Sequence, residues 1–158
     1  MTIQTIKRKH SMKLSENFNL EEFTESKTAK ELGIENIPNE QEVQSILLLV
    51  QNVLQPLRKL IAVPIKINSG FRCELLNNNT KGSSPTSQHR LGEAADIYVA
   101  DMPMKNVFNI IKDRLLFDQL IWEFGGKWIH VSYRQGRNRK EVLESKRIND
   151  KTIYVKMA

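Results

Sequence analysis

One cysteine, Cys73, in 158 residues excludes a disulfide within the chain. Nothing near it in sequence supplies an activating partner, so the thiol reads as a partly buried structural group rather than a nucleophile. No apolar run approaches the roughly 20 residues that a membrane-spanning helix needs. The basic opening, Met1 to Ser11, leads into no apolar segment, so a cleaved signal peptide is not expected. The protein is expected to stay in the cytoplasm or to be carried across a membrane by something else. Internal repeats and linker-like stretches are also missing, and the length suits one core. The expected organisation is a frayed tail over 1–13 and a single domain over 14–158.

The net charge of +6 suggests acidic partners, with nucleic acid and an anionic bacterial wall as two candidates. The charge gathers at the ends, in Lys7-Arg8-Lys9-His10 and in Arg134, Arg137, Arg139, Lys140, Lys146 and Arg147. A solvated face that aids solubility is the simpler reading of these residues.

Local signals divide the chain. Asn19 and Ser26 are capping residues for two short helices, the first with Glu22 in the capping-box position and the second stopping at Gly33. The strongest helix pattern runs over 40–61, where Val43, Ile46, Leu47, Val50, Val53, Leu54, Leu57 and Leu60 recur at helical spacing. Pro56 is expected to kink or divide it. Residues 64–69 alternate as a strand, 95–99 form a second, and Pro103 leads into an amphipathic helix through Leu115. Residues 119–123 and 128–133 predict a hairpin around Phe124-Gly125-Gly126-Lys127, and 153–155 a last strand. This order predicts an α+β fold: a small, mainly antiparallel sheet with N-terminal helices packed on one face.

Three residues have the chemistry of a metal site. His89 lies in a loop, Asp96 follows the Gly92-Glu93-Ala94-Ala95 turn into a strand, and His130 sits mid-strand in the hairpin. Two imidazoles and one carboxylate leave one position of a zinc tetrahedron free for water. By spacing alone, such residues are more often unconnected surface groups. His10 lies in the tail and is not a candidate. The hairpin register adds support, because Glu123 faces Trp128 and so lies diagonally across from His130, about 7–8 Å away. That separation suits a general base and is too long for easy ligation. Asp118 is a weaker base candidate and reads as structural. Arg72 leaves a strand end after Gly70, whose freedom to turn can aim the guanidinium into a cleft to bind a carboxylate or stabilise an oxyanion. An ordinary salt bridge is the simpler reading of Arg72 alone.

Taken together, these residues resemble the zinc D-Ala-D-Ala carboxypeptidase family, related to phage endolysins that cut the L-Ala-D-Glu bond and to the hedgehog signalling domain. The family's Ser-x-His-x-x-Gly-x-Ala-x-Asp is met by Ser87, His89, Gly92, Ala94 and Asp96. Ser69-Gly70-Phe71-Arg72 and Trp128-Ile129-His130-Val131 match two further motifs, and the likeness covers roughly residues 14–142. It implies a hedgehog-like domain in which His89, Asp96 and His130 hold one zinc ion. Glu123 and Arg72 would be catalytic, and Arg72, Ser87 and Trp128 would meet the substrate. It further implies a monomeric peptidase of peptidoglycan stem peptides, of the phage or prophage endolysin type and released through a holin, with no nucleic-acid partner and no membrane insertion. Two departures stand out. Glu123 precedes His130 by seven residues where many members have three or six, and Trp128 replaces a histidine found in some. An inactive zinc-bearing wall- or protein-binding module is the alternative, and a nucleic-acid-binding protein is suggested by charge alone.

Overall fold

The apolar stripe over 40–61 forms the main packing helix of the computed structural model, which describes residues 12–157. Among the described residues two short helices come first, α1 (Leu20–Thr24) and α2 (Lys27–Leu32). The Ser26 hydroxyl accepts from the Ala29 N–H to start α2, and Gly33 ends it in a left-handed conformation. Helix α3 (Glu40–Leu49) opens on a capping box. The Asn39 side chain accepts from the Glu42 N–H, and the Glu42 carboxylate accepts from the Asn39 N–H, both at 2.8 Å. The helix then passes through a π-helical turn (Val50–Leu54) into α4 (Gln55–Ile61). Pro56, expected to kink or divide the helix, lies just beyond this wide turn, which absorbs the proline ring. Ile46, Leu49, Val50, Val53, Leu54 and Leu57 are buried, whereas Leu60, counted with them from the sequence, is exposed.

Strand β1 (Lys66–Ser69) and the short α5 (Glu74–Asn78) precede β2 (Ala94–Tyr98), α6 (Met104–Arg114), β3 (Gln119–Glu123) and β4 (Trp128–Ser132). Strands β5 (Glu141–Ile148) and β6 (Lys151–Lys156) complete a six-stranded sheet in the order β1-β2-β4-β3-β5-β6. All pairings are antiparallel except that of β3 with β5. The α+β architecture is the expected one. The β3–β4 hairpin has the expected four-residue connection, with Glu123 opposite Trp128. Strand β5 was not foreseen, and β6 is longer than the last strand expected.

Alternation along the strands gives the sheet two different faces. Ala95, Ile97, Leu120, Ile129 and Val131 join the helices in one buried core. Asp96, His130, Ile121 and Glu123 point to the opposite face, where the candidate site lies. Of the expected N-terminal tail, residues 1–11, with Lys7 to His10, lie outside the described residues. Met12 and Lys13 are held, since the Met12 carbonyl accepts from the Leu20 N–H and Lys13 bridges to Asn19. Among the described residues, no helix is long and apolar enough to cross a membrane.

Helix α3 also fixes the loop that carries His89. Gly92 has φ +72°, and a Cβ there would come within 2.5 Å of the Glu42 carbonyl oxygen. The missing side chain at Gly92 therefore lets the loop pack closely on α3. A Gly92→Ala substitution combines left-handed strain with a backbone clash and is expected to cost about 3 kcal/mol. Urea unfolding of the two proteins checks this.

Candidate metal centre

Asp96 and His130 are directly opposite each other in the β2–β4 ladder. Cross-strand neighbours on one face lie about 5 Å apart at Cβ, so the register brings carboxylate and imidazole together. His89 arrives from a 3₁₀ turn (Gln88–Leu91), whose first residues are held by the Ser87 hydroxyl accepting from the His89 N–H at 3.3 Å. His130 Nδ1 lies 3.1 Å and His89 Nε2 3.4 Å from the same oxygen, Asp96 Oδ1. The three ligand atoms fall within 4.8 Å of one another, so the trio could hold a metal ion.

The hydrogen bonding of His89 shows that the cluster suits a cation. His89 Nδ1 is 2.6 Å from the Gly70 carbonyl oxygen, which can only accept, so Nδ1 carries the proton. Burial lowers the His89 pKa, although the Asp96 charge opposes this, and the neutral ring is favoured. Its Nε2 then directs a lone pair at a carboxylate oxygen, an arrangement that a cation between them relieves. Second-partner hydrogen bonds of this kind fix the tautomer of ligating histidines. Burial alone would raise the Asp96 pKa. Positive charge on His89, and hydrogen bonds from either imidazole when it is protonated, outweigh burial and hold the carboxyl well below the usual range, so Asp96 is a carboxylate. Two neutral nitrogens and one carboxylate oxygen form a donor set that zinc accepts.

Gly70 makes this geometry possible differently from the sequence reading. Its φ is not positive, so it provides no unusual turn. A Cβ would instead meet the Phe23 backbone at 2.7 Å. The next residue is anchored as well, with the Phe71 N–H donating to the Phe23 carbonyl. Buried Asn36 donates to the Phe71 and Thr24 carbonyls and accepts from the Cys73 N–H, gripping the backbone on both sides of Arg72. Nothing in the residues around Asn36 marks it for this role. Arg72 donates through Nη1 to Asn77 Oδ1 at 3.3 Å, and its buried Nε has no partner among the described residues. Burial lowers the Arg72 pKa, and the charge of Asp96 opposes the shift, which places the guanidinium within the field of the cluster.

Glu123 is buried on the same sheet face, diagonal to His130 as expected. The seven-residue separation is taken up by the 124–127 turn without disturbing the register. Ser145 Oγ donates to Glu123 Oε2 at 2.5 Å and accepts from the Phe124 N–H at 3.1 Å. This serine lies on β5, so the sequence reading missed it. Burial raises the Glu123 pKa; the Ser145 hydrogen bond and the His130 charge oppose the rise. Asp118, by contrast, is tied to Arg139 through both oxygens at 2.9 Å and to Gln88, the structural carboxylate expected. Trp128 stacks obliquely on Phe124 with ring centres 5.3 Å apart. The Ser87 hydroxyl proton has no acceptor among the described residues, so it can still be given to a ligand.

A family model described as Peptidase M15 matches residues 16–132, a span that contains Arg72, the His–Asp–His cluster and Glu123. No curated protein matches the chain.

The cluster makes a direct prediction. Wild-type protein is expected to bind about one zinc ion per chain, and His89→Ala or His130→Ala to lose tight binding. Zinc at 100-fold over its Kd should add about 2.7 kcal/mol of stability to the wild type alone. Metal analysis of dialysed protein, paired with chelator-reversed melting, reads both.

Proposed function

Because the chain belongs to the peptidase M15 family, we propose that it is a zinc-dependent peptidase that hydrolyses peptidoglycan stem peptides. One observation carries the reading: a buried carboxylate, Glu123, is held by Ser145 on the same face as three convergent metal-type donors. His89 Nε2, Asp96 Oδ1 and His130 Nδ1 are the atoms that would hold the ion. When bound, zinc would supply positive charge that acidifies water and polarises a peptide carbonyl.

The chain's own groups do the rest. Glu123 accepts the proton of the attacking water as its oxygen bonds to the carbonyl carbon. The same carboxyl then returns a proton to the amine nitrogen as the C–N bond breaks. Arg72 donates to the carbonyl oxygen as negative charge develops there. Ser145 is a positioning residue that keeps one Glu123 oxygen fixed. Ser87 and Trp128 are assigned to substrate contact.

The +6 net charge favours an anionic wall as the site of action, and a phage or prophage endolysin released through a holin suits that substrate. A monomer is sufficient, since all the proposed groups come from one chain. Mass spectrometry of wall fragments tests the reading. Zinc-loaded protein should release peptide products and chelated protein none. A wild type that holds zinc and cuts nothing would support a binding module instead.

Replacing Glu123 by Gln should lower kcat by about 10²–10⁴-fold with zinc still bound. Its effect on stability has a definite sign. A carboxyl whose folded pKa is raised contributes stability below its unfolded pKa and loses it as pH rises through the folded pKa. At neutral pH the charged form opposes folding, so Glu123→Gln should not lower the melting temperature.

The same carboxyl sets the pH profile. Glu123 must be ionised to accept a proton, so kcat/KM should rise with pH along the limb of its titration. Ser145→Ala removes a bond that favours the charged form, so the limb should move to higher pH while zinc content stays constant. Steady-state rates across pH for the two proteins check this.

A further inference from the structure

The sheet register lines up a row of side chains across the strands at the level of Glu123. Trp128 is opposite Glu123, Ser145 reaches Glu123 from the next strand, and Tyr154 is opposite Ser145. On the other side, one step beyond the Ile97–Ile129 pair brings Tyr98 beside Trp128, and Lys66 is opposite Tyr98. All of these lie on the face that the helices leave free. Tyr98 and Tyr154 are 38% and 52% exposed, so large rings are presented to solvent on both flanks of a buried acid. Each is two strands from Glu123, or about 10 Å at the usual strand spacing, room for about three extended residues on either side.

Tyr154 stands at the β6 end of this row, next to Ser145 across the ladder. Its phenol is partly desolvated, and the charges of Glu123 and then Asp96 add to the rise in its pKa. The hydroxyl therefore stays protonated, and it has no hydrogen-bond partner among the described residues. It is a free donor beside the site. Tyr154 also lies beyond the segment matched by the family, which ends at residue 132.

We propose that this row is the track on which an extended peptide lies, with Tyr154 gripping it on the far side of Glu123, so that the bond cut is internal rather than terminal. The inference rests on the peptidase reading above. A site that trims one terminal residue needs a track on one side of its acid and a stop on the other. Here aromatic surface continues on both sides. Stacking on ring faces and one hydroxyl donor suit a peptide backbone crossing the strands. Lys66 at one end gives an acidic stem peptide a charge to meet.

The test is digestion of purified stem-peptide fragments by zinc-loaded wild type, Tyr154→Ala and Tyr154→Phe, with products identified by mass. The wild type is expected to cut within the peptide and to release no single terminal residue. Tyr154→Ala should raise KM about tenfold with kcat within about threefold, and zinc content unchanged. Tyr154→Phe keeps the ring and should raise KM about two- to fivefold, which tests the hydroxyl even if the alanine variant folds poorly. Loss of only a terminal residue, or wild-type KM in both variants, overturns the proposal while leaving the peptidase reading intact. A zinc-loaded wild type that cuts nothing removes the peptidase reading, and this inference with it.

Discussion

Two imidazole nitrogens, from residues 89 and 130, meet at one carboxylate oxygen of Asp96, and the local structure is arranged to hold them there. The approach requires the His89 Nδ1–H to donate a hydrogen bond to the Gly70 carbonyl. That carbonyl is in place because Gly70 packs directly against the Phe23 backbone. It also requires the β2–β4 register, since a slip by one residue would turn His130 into the helix-packed core. The long helix takes part through Gly92, which lies against the Glu42 carbonyl. Helices that look like mere core therefore set the position of the ligand loop.

The acid depends on a different part of the chain. Glu123 is buried enough to resist ionisation, and the Ser145 hydroxyl partly restores the charged form. That hydroxyl comes from β5, which joins the sheet by a parallel pairing with β3. The last two strands thus do more than extend the sheet. Through Ser145 they fix the Glu123 carboxylate, and they extend the open face on its far side.

Much of this was legible in the sequence because it depends on period and spacing. The hairpin around 124–127 has two flanking runs and two glycines, and its length alone fixes Glu123 opposite Trp128. The His89 to Asp96 stretch and the helix over 40–61 carry similarly local signals. Strand β5 was not legible, because Glu141–Ile148 is mixed in polarity, and its apolar packing is limited to Val142 and Leu143 at the inner end. Its one signal was Asn149-Asp150, a two-residue turn with φ of 50° and 60°, a conformation these residue types tolerate. Ser145 and Asn36 act through contacts distant in sequence, and no local pattern marks them. Gly70 was noticed for the wrong reason: its value is close approach, which only the tertiary fold reveals.

The most direct test of the central claim is anomalous diffraction at the zinc edge from crystals grown with one equivalent of the metal. The expected result is a single strong peak contacted by His89, Asp96 and His130, with Glu123 on the same side of the sheet but outside bonding distance. A peak elsewhere, or none at this trio, would mean that these residues do not hold the ion.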